Sequence, residues 1–361
     1  MNIYIGAENA ITPLGNTAEE NFSALCENIS GIKKFNNAGF DDKNIFLSKF
    51  SNDVPKHTFN SLLKNCLIGI KGRIASDIFS SDQTLLILST TKGDIQNEVA
   101  DAIGKTVAKL QNTFSFQHTP LVVSNACASG VIAINTGADL IRSETYENVI
   151  VLGCDLVSDF VTYGFQSLFA ISENPCTPYD KGRTGITLGE GCAGLILSKN
   201  KSIFNQVPMK YIEGTSSNDA NHISGPSRTG EGLFRTVKRT LELAGMKEQD
   251  IDFISAHGTA TQYNDDMESV AFDRLNMNHI PLNSFKGYFG HTLGAAGVIE
   301  TAMCLQSMRN NMLVKSIGFK DHGTSKKINV LAENKSGVVE TVLKTSSGFG
   351  GCNASLLLKR V

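Results

Sequence analysis

Short apolar runs alternate with amphipathic stretches along almost the whole chain. Residues 2–5, 85–88, 121–123, 149–153 and 194–197 have the length and β-branched content of buried strands. Helical spacing separates them. Thr17 is placed to cap a helix through Glu19, Phe22 and Leu25, residues 62–78 carry helical periodicity, and residues 99–110 predict a further helix. Val131, Ile134, Ala138 and Ile141 share one helical face. Residues 30–60 are polar and predict irregular structure. From Met209 the pattern starts again, with a strand at 209–213, a helix at 230–243 and a strand at 251–255.

The restart is echoed in the residues themselves. Ala128-Ser129-Gly130-Val131-Ile132 has a partner 167 positions on, Ala295-Ala296-Gly297-Val298-Ile299. The strand and turn at 87–93 lie almost the same distance before 254–260, and Gly191-Cys192 with its following apolar strand is echoed by Gly351-Cys352. Three matches in one order predict an internal duplication. The expected architecture is α/β, two duplicated βαβ-rich halves at 1–202 and 203–361, with helices between and outside the sheets.

Composition narrows the classes. A chain of 361 residues, 41% hydrophobic and 19% charged, suits a large globular core. Its net charge of −2 offers nothing to nucleic acid or to an anionic membrane surface. No run approaches the ~20 apolar residues of a membrane span, and the N-terminal sequence lacks a basic segment followed by an apolar one. The cytoplasm is the expected compartment, with all eight cysteines reduced. They form no CxxC pair and no zinc-ligand spacing, so neither a metal nor a cofactor is expected. Residues 189–194 satisfy GxGxxG, but a strand rather than a helix follows, so a dinucleotide loop is rejected.

The candidate chemistry centres on Cys127. It stands at a tight turn between the 121–123 strand and the helix that starts near Val131. The unpaired N–H groups and positive end of that helix favour a thiolate, and small neighbours leave room for backbone amides to reach a reacting carbonyl. Two histidines are framed by Gly and Thr. His257 ends a buried strand, where open α/β sheets place their sites. His291 precedes a small-residue helix start in the half-repeat position of Cys127's turn, so pseudo-twofold symmetry should bring it across from the sulfur. Lys286 lies near His291 in sequence and could tune it, and Ser346 to Gly351 form a loop able to seat a movable Phe349. His57, His118, His222, His279 and His322 read as ordinary core or surface residues.

Together these stretches resemble the β-ketoacyl-ACP synthases of the thiolase superfamily, the decarboxylating, elongating type. The motifs are NACASG at 125–130, PYDKGRTG at 178–185 with GEG at 189–191, HGTAT at 257–261 with Asn264-Asp265, Lys286 with GHTLGAAG at 290–297 and Glu300, and GFGG at 348–351. The resemblance implies a thiolase-like five-layered αβαβα fold, normally dimeric through the first half, whose partner is acyl carrier protein bearing acyl and malonyl groups. It implies that Cys127 carries the acyl chain and that His257 and His291 bind the malonyl thioester carbonyl and promote decarboxylation. Lys286, with Glu300, would support the His291 region. Backbone amides of Cys127 and Phe349 would form an oxyanion hole, Phe349 would gate the second substrate, and Phe165 would line the acyl pocket. Thr259, Thr261 and Gly350 are the further substrate-binding expectations, Asp265 and Glu190 the further structural ones.

One departure accompanies the resemblance. Between Gly93 and Thr119 the chain lacks much of the segment that usually builds the dimer interface and part of the acyl pocket. That suggests a synthase specialised for polyenes or other polyketides, paired with a different subunit rather than with itself. The alternatives are a catalytically silent chain-length partner, disfavoured because Cys127, His257 and His291 are all present, and a priming acyltransferase type, disfavoured by two His in place of a His/Asn pair.

Overall fold

The computed structural model describes residues 1–51, 57–219 and 225–361. His222 lies outside the described residues. Ten strands form one continuous sheet: β1 (Ile3–Ile11), β2 (Thr84–Ser89), β3 (Leu121–Val123), β4 (Asn148–Asp155), β5 (Gly191–Ser198), β6 (Met209–Asn218), β7 (Phe253–Ser255), β8 (Leu282–Asn283), β9 (Thr341–Gly348) and β10 (Cys352–Lys359). Outward from the middle, one side runs β1-β5-β4-β2-β3 and the other β6-β10-β9-β7-β8. Each strand of the first half thus has its counterpart five strands later, with the same parallel or antiparallel sense at every step. The halves join where β1 pairs antiparallel with β6, Ile3 opposite Tyr211 and Ile5 opposite Met209.

Helices cover the strands in layers. They are α1 (Ala18–Cys26), α2 (Phe59–Lys71), α3 (Gly104–Phe114), α4 (Ser129–Arg142), α5 (Asp159–Ser167), α6 (Glu231–Ala244), α7 (Gln262–Arg274), the single turn α8 (Lys286–Phe289) and α9 (Ala296–Asn310). The period-2 alternation of each strand divides its side chains between two layers. Leu85, Ile87, Val149 and Val151 face α4 and α9, as do Val342, Leu356 and Leu358 from the second half. Leu86, Leu88, Ile150 and Leu152 face α2 and α3 instead, while Leu343 and Leu357 face α6 and α7. The result is the five-layered αβαβα arrangement, with α4 and α9 in its middle. Val131, Ile134, Ala138 and Ile141 of α4 are all fully buried, the Val and the two Ile side chains each contributing roughly 1.5–3 kcal/mol.

Five expectations need correction. The helix expected over 62–78 runs from Phe59 to Lys71 and stops at its C-cap Gly72. Residues 30–60 are not wholly irregular: Ile32–Phe35 and Ile45–Ser48 form a hairpin, because Ile45 and Leu47 alternate onto a small apolar cluster with Val161 and Leu293. The helix expected from Val99 starts at Gly104, where the Asp101 carboxylate accepts the Gly104 N–H at 2.8 Å, and Val99 is exposed. The 121–123 strand is not buried, because β3 is an edge of the sheet, and Leu121 is 41% exposed. The first strand runs on to Ile11 through an irregularity between Gly6 and Asn9.

Candidate active site

Cys127 is placed by a backbone elbow. Ala126 adopts a left-handed φ of 44°, so the chain leaves β3 and enters α4 within a few residues. No side chain caps α4, whereas Thr or Ser side chains cap α1, α2, α5 and α7. The uncapped N-terminus therefore remains available to charge at the sulfur. Gly348 lies so close that a Cβ there would stand 3.1 Å from the Cys127 amide, and the Ser346 hydroxyl donates to the Cys127 carbonyl at 3.0 Å. Burial pushes the Cys127 thiol up to about 11, against the pull of the Lys286 cation and the amides of Phe349 and Cys127. Burial at 6% exposure thus works against the thiolate that the helix end favours.

His291 has the same local geometry one repeat later. Leu293, 167 residues after Ala126, has φ 53°, and α9 also begins without a side-chain cap. The His291 Nε2 stands 2.9 Å from Cys127 Sγ. His257 follows β7, and its ring centre is 5.3 Å from that of His291 at 82°. The symmetry argument thus correctly brought sulfur and imidazoles together.

The surroundings fix what each imidazole can do. Nδ1 of His291 accepts the Leu293 N–H at 3.3 Å, and Nδ1 of His257 faces the Lys286 ammonium at 3.2 Å. An acceptor Nδ1 leaves the ring proton on Nε2, so both rings present an N–H to the site. Both imidazoles are held well below the ordinary histidine range, by burial first and then by the Lys286 cation. Cys127, His257 and His291 each offer one ligand atom within 4.8 Å of the others. A metal-bound histidine, however, needs a bare nitrogen toward the metal and an acceptor behind it. Here the partners behind both rings are donors, the wrong polarity for a metal.

Beneath the His257 turn sit two buried carboxylates of α7. Asp265 accepts the Thr259, Ala260 and Tyr179 amides, and Glu268 accepts the His257 and Gly258 amides and the Tyr179 hydroxyl. Asp265 was expected and Glu268 was not. Its signal is its place three residues after Asp265 and four after Asn264, on one helix face. Burial and the Asp265 charge push Glu268 up to about 7. Rising from α8, the Lys286 ammonium reaches the His257 carbonyl at 2.7 Å and Glu300 at 2.7 Å, so it bonds to His257 directly and acts on His291 through its charge. A second buried cation, Lys344 of β9, also meets Glu300 at 2.7 Å, and nothing in the apolar strand pattern announced it.

A cavity of about 450 Å³ opens over these groups, lined by Cys127, His257, His291, Thr259, Thr261 and an apolar wall from Phe165 to Ile186. Phe349 also lines it, stacked on Phe165 at 5.3 Å and 26°. Five expected residues lie off it: Lys286, Asp265 and Glu300, which sit in the networks just described, and Gly350 and Glu190. Gly350 turns away at φ 84°, its carbonyl accepting from Asn218. Glu190 is buried under the loops, accepting the Phe50 and Val157 amides, a structural part as expected. His57, His118, His279 and His322 do not line the cavity.

Residues 106–202 match the family model described as Beta-ketoacyl synthase, N-terminal domain, and residues 211–320 match the corresponding C-terminal domain. The chain belongs to the β-ketoacyl synthase family. Its class is therefore acyltransferase. Among its relatives, a putative mitochondrial 3-oxoacyl-[acyl-carrier-protein] synthase of Schizosaccharomyces pombe is 26% identical and aligns over 99% of both chains. That alignment spans 426 positions, so the relative carries segments this chain lacks. A 3-oxoacyl-[acyl-carrier-protein] synthase 2 of Rhizobium meliloti is 32% identical over 66% of this chain and 60% of that protein. Among solved structures, a ketosynthase in complex with its chain length factor, from Xenorhabdus doucetiae, superposes with a TM-score of 0.90 at 25% identity, covering 100% of this chain and 98% of that one. The ketosynthase fold of the family is thus present whole.

Proposed function

We propose that the protein condenses an acyl-ACP with malonyl-ACP, with loss of carbon dioxide, to give β-ketoacyl-ACP. The observation that carries the assignment of residues is the meeting of Cys127 Sγ with His291 Nε2 at 2.9 Å, with a ring nitrogen of His257 within 4.8 Å of both. In the first step Cys127 attacks the acyl thioester, displaces the carrier thiol and keeps the acyl chain in the apolar part of the cavity. In the second, the malonyl thioester places its carbonyl oxygen between His257 and His291. The C–CO₂⁻ bond breaks and its electron pair becomes the enolate held by the two N–H groups. Uncharged donors suit this step, because an imidazolium could protonate the carbanion instead of stabilising it. The carbanion then attacks the acyl carbonyl on Cys127, whose developing oxyanion meets the Cys127 and Phe349 amides. Collapse expels the thiolate and releases the product.

In this reading residues 1–202 bring the nucleophile and residues 203–361 the two imidazoles, with Lys286 a positioning residue for His257, and Thr259 and Thr261 along the substrate path. The substrate carrier is acyl carrier protein, as the relatives' names state for theirs. The structural neighbour in complex with its chain length factor, together with the short 93–119 segment, favours pairing with a different ketosynthase-like subunit in polyene or polyketide synthesis over a homodimer in fatty-acid synthesis. No helix among the described residues is long and apolar enough to cross a membrane. The cytoplasm is the compartment the composition favours. The test is mass analysis with an acyl-ACP panel and malonyl-ACP. Cys127→Ala should abolish acylation, and His291→Ala should keep acylation but lose condensation. Normal turnover in either variant refutes the role given to that residue.

A further inference from the structure

Lys344 stands in the middle of β9 between Leu343 and Thr345 and is fully buried. Taking an ammonium out of water costs several kcal/mol, and an apolar residue would fill the position without that cost. The reaction described above does not touch it. Its contacts explain where the charge goes. Nζ lies 2.7 Å from Oε2 of Glu300, donates to the Thr345 carbonyl at 2.6 Å and reaches the Ser255 carbonyl, two residues before His257, at 3.3 Å. The other oxygen of Glu300 is taken by Lys286 at 2.7 Å. Each carboxylate oxygen therefore has its own ammonium, and two cations share one anion out of reach of water.

We propose that Lys344 is a positioning residue that leaves this buried network with one excess positive charge behind His257 and His291, keeping both imidazoles in the uncharged donor form. The other charged groups facing the pair do not cancel that excess. Asp155 of β4 is neutralised by Lys92 at 2.9 Å, and Asp265 and Glu268 of α7 are turned onto backbone amides beneath the His257 loop. On the open side stand Cys127, whose thiol burial pushes up, and Asp219, whose carboxylate is turned onto the Gly232 and Ser227 amides and the Asn353 side chain. Lys344 acts on both rings in the same direction as Lys286, with burial the larger cause in each case. A ring that stays uncharged keeps its Nε2–H for the enolate in acidic solution, where an ordinary histidine would have become a cation.

The experiment counts charges. Wild type carries +1 in the Lys286–Glu300–Lys344 cluster, Lys344→Met carries zero, and Lys344→Met with Glu300→Gln carries +1 again. The malonyl-ACP decarboxylation rate is followed from pH 5 to 8, and the two imidazoles are titrated by NMR without substrate. Lys344→Met should raise the imidazole titrations read by NMR by roughly half to one pKa unit and move the acid limb of the rate up the pH axis by the same amount, a 3- to 10-fold change in the proton-binding constant. The double variant should recover the wild-type acid limb, which a merely structural lysine would not produce. The idea is overturned if Lys344→Met keeps the wild-type limb, or if the folded double variant fails to recover it. Should Lys344→Met not fold, the wild-type titration and the double variant decide: an imidazole that titrates at or above the ordinary histidine value sinks the proposal. The inference rests on the condensation reading only for its rate measurement. The NMR titration stands without any substrate, so the two can fail separately.

Discussion

Gly130 and Gly297 meet backbone to backbone at the centre of the molecule. A Cβ on Gly130 would stand 2.7 Å from the Val298 amide, and one on Gly297 would stand 2.5 Å from the Val131 amide. They are equivalent residues of the two repeats, so the pseudo-twofold axis passes between them and the starts of α4 and α9 touch. This contact sets the separation of Cys127 and His291, each a few residues upstream of one of the glycines.

Either Gly130→Ala or Gly297→Ala should force those helix starts apart, since backbone rather than a flexible side chain lies in the way. The expected cost is about 1–3 kcal/mol of stability, with a larger loss of condensation than of folding. Thermal unfolding and turnover measured on the same preparations check this. A fully active alanine variant at either site would show that the helices can separate without disturbing the sulfur.

Reactivity of Cys127 should climb with pH. Its thiol is pushed up to about 11 by burial, so the thiolate fraction grows through the neutral range without levelling off. Alkylation by iodoacetamide, followed by mass at Cys127, should rise by nearly tenfold per pH unit between 7 and 9. A plateau below pH 8 would mean that the helix end and the facing amides outweigh desolvation after all.

Glu268→Gln should loosen the His257 turn. The amide nitrogen of Gln meets N–H donors where a carboxylate oxygen accepted them, an unsatisfied pairing worth about 1–3 kcal/mol. The pH dependence has a definite sign. Glu268 is raised from 4.5 to about 7 in the folded protein, so the native state holds its proton longer than the unfolded chain. Its contribution therefore favours folding most below pH 4.5 and is lost as pH rises toward 7, by at most roughly 1.4 kcal/mol per unit. The difference in unfolding free energy between wild type and Glu268→Gln should vary over that window and be flat above it. A difference independent of pH would contradict the assignment.

Phe165→Ala should change which acyl chains are accepted. The ring stacks on Phe349 and walls the apolar side of the cavity, so its removal deepens the space behind Cys127 and frees Phe349. With an acyl-ACP panel, the preferred chain should lengthen while Cys127 still acylates. An unchanged preference would place the end of the acyl chain elsewhere.

What could be read from the residues followed from local periodicity and from the repeat. The alternation of Leu85 to Leu88 and of Val149 to Leu152 named the buried strands, and the 167-residue echo placed His291 against Cys127 before any coordinates. Glycine and threonine framing marked His257. The misses have physical causes. Leu121 looks like a core residue because sequence does not tell an edge strand from a central one. Lys286 lies near His291 in sequence and acts on it through its charge, but sequence does not show that its long side chain also crosses to His257, 29 positions earlier. Lys344 was invisible because its reason for being buried, the second oxygen of Glu300, sits on another element.

The strand Leu121–Val123 is hydrogen-bonded on one side only, and Cys127 follows it by four residues. Anything that extends the sheet from that margin takes hold of the same short length of chain that aims the nucleophile. Choice of companion and choice of substrate are thereby coupled mechanically: a neighbour that tilts the margin by a fraction of an ångström also tilts the elbow at Ala126, and the reacting sulfur moves with it.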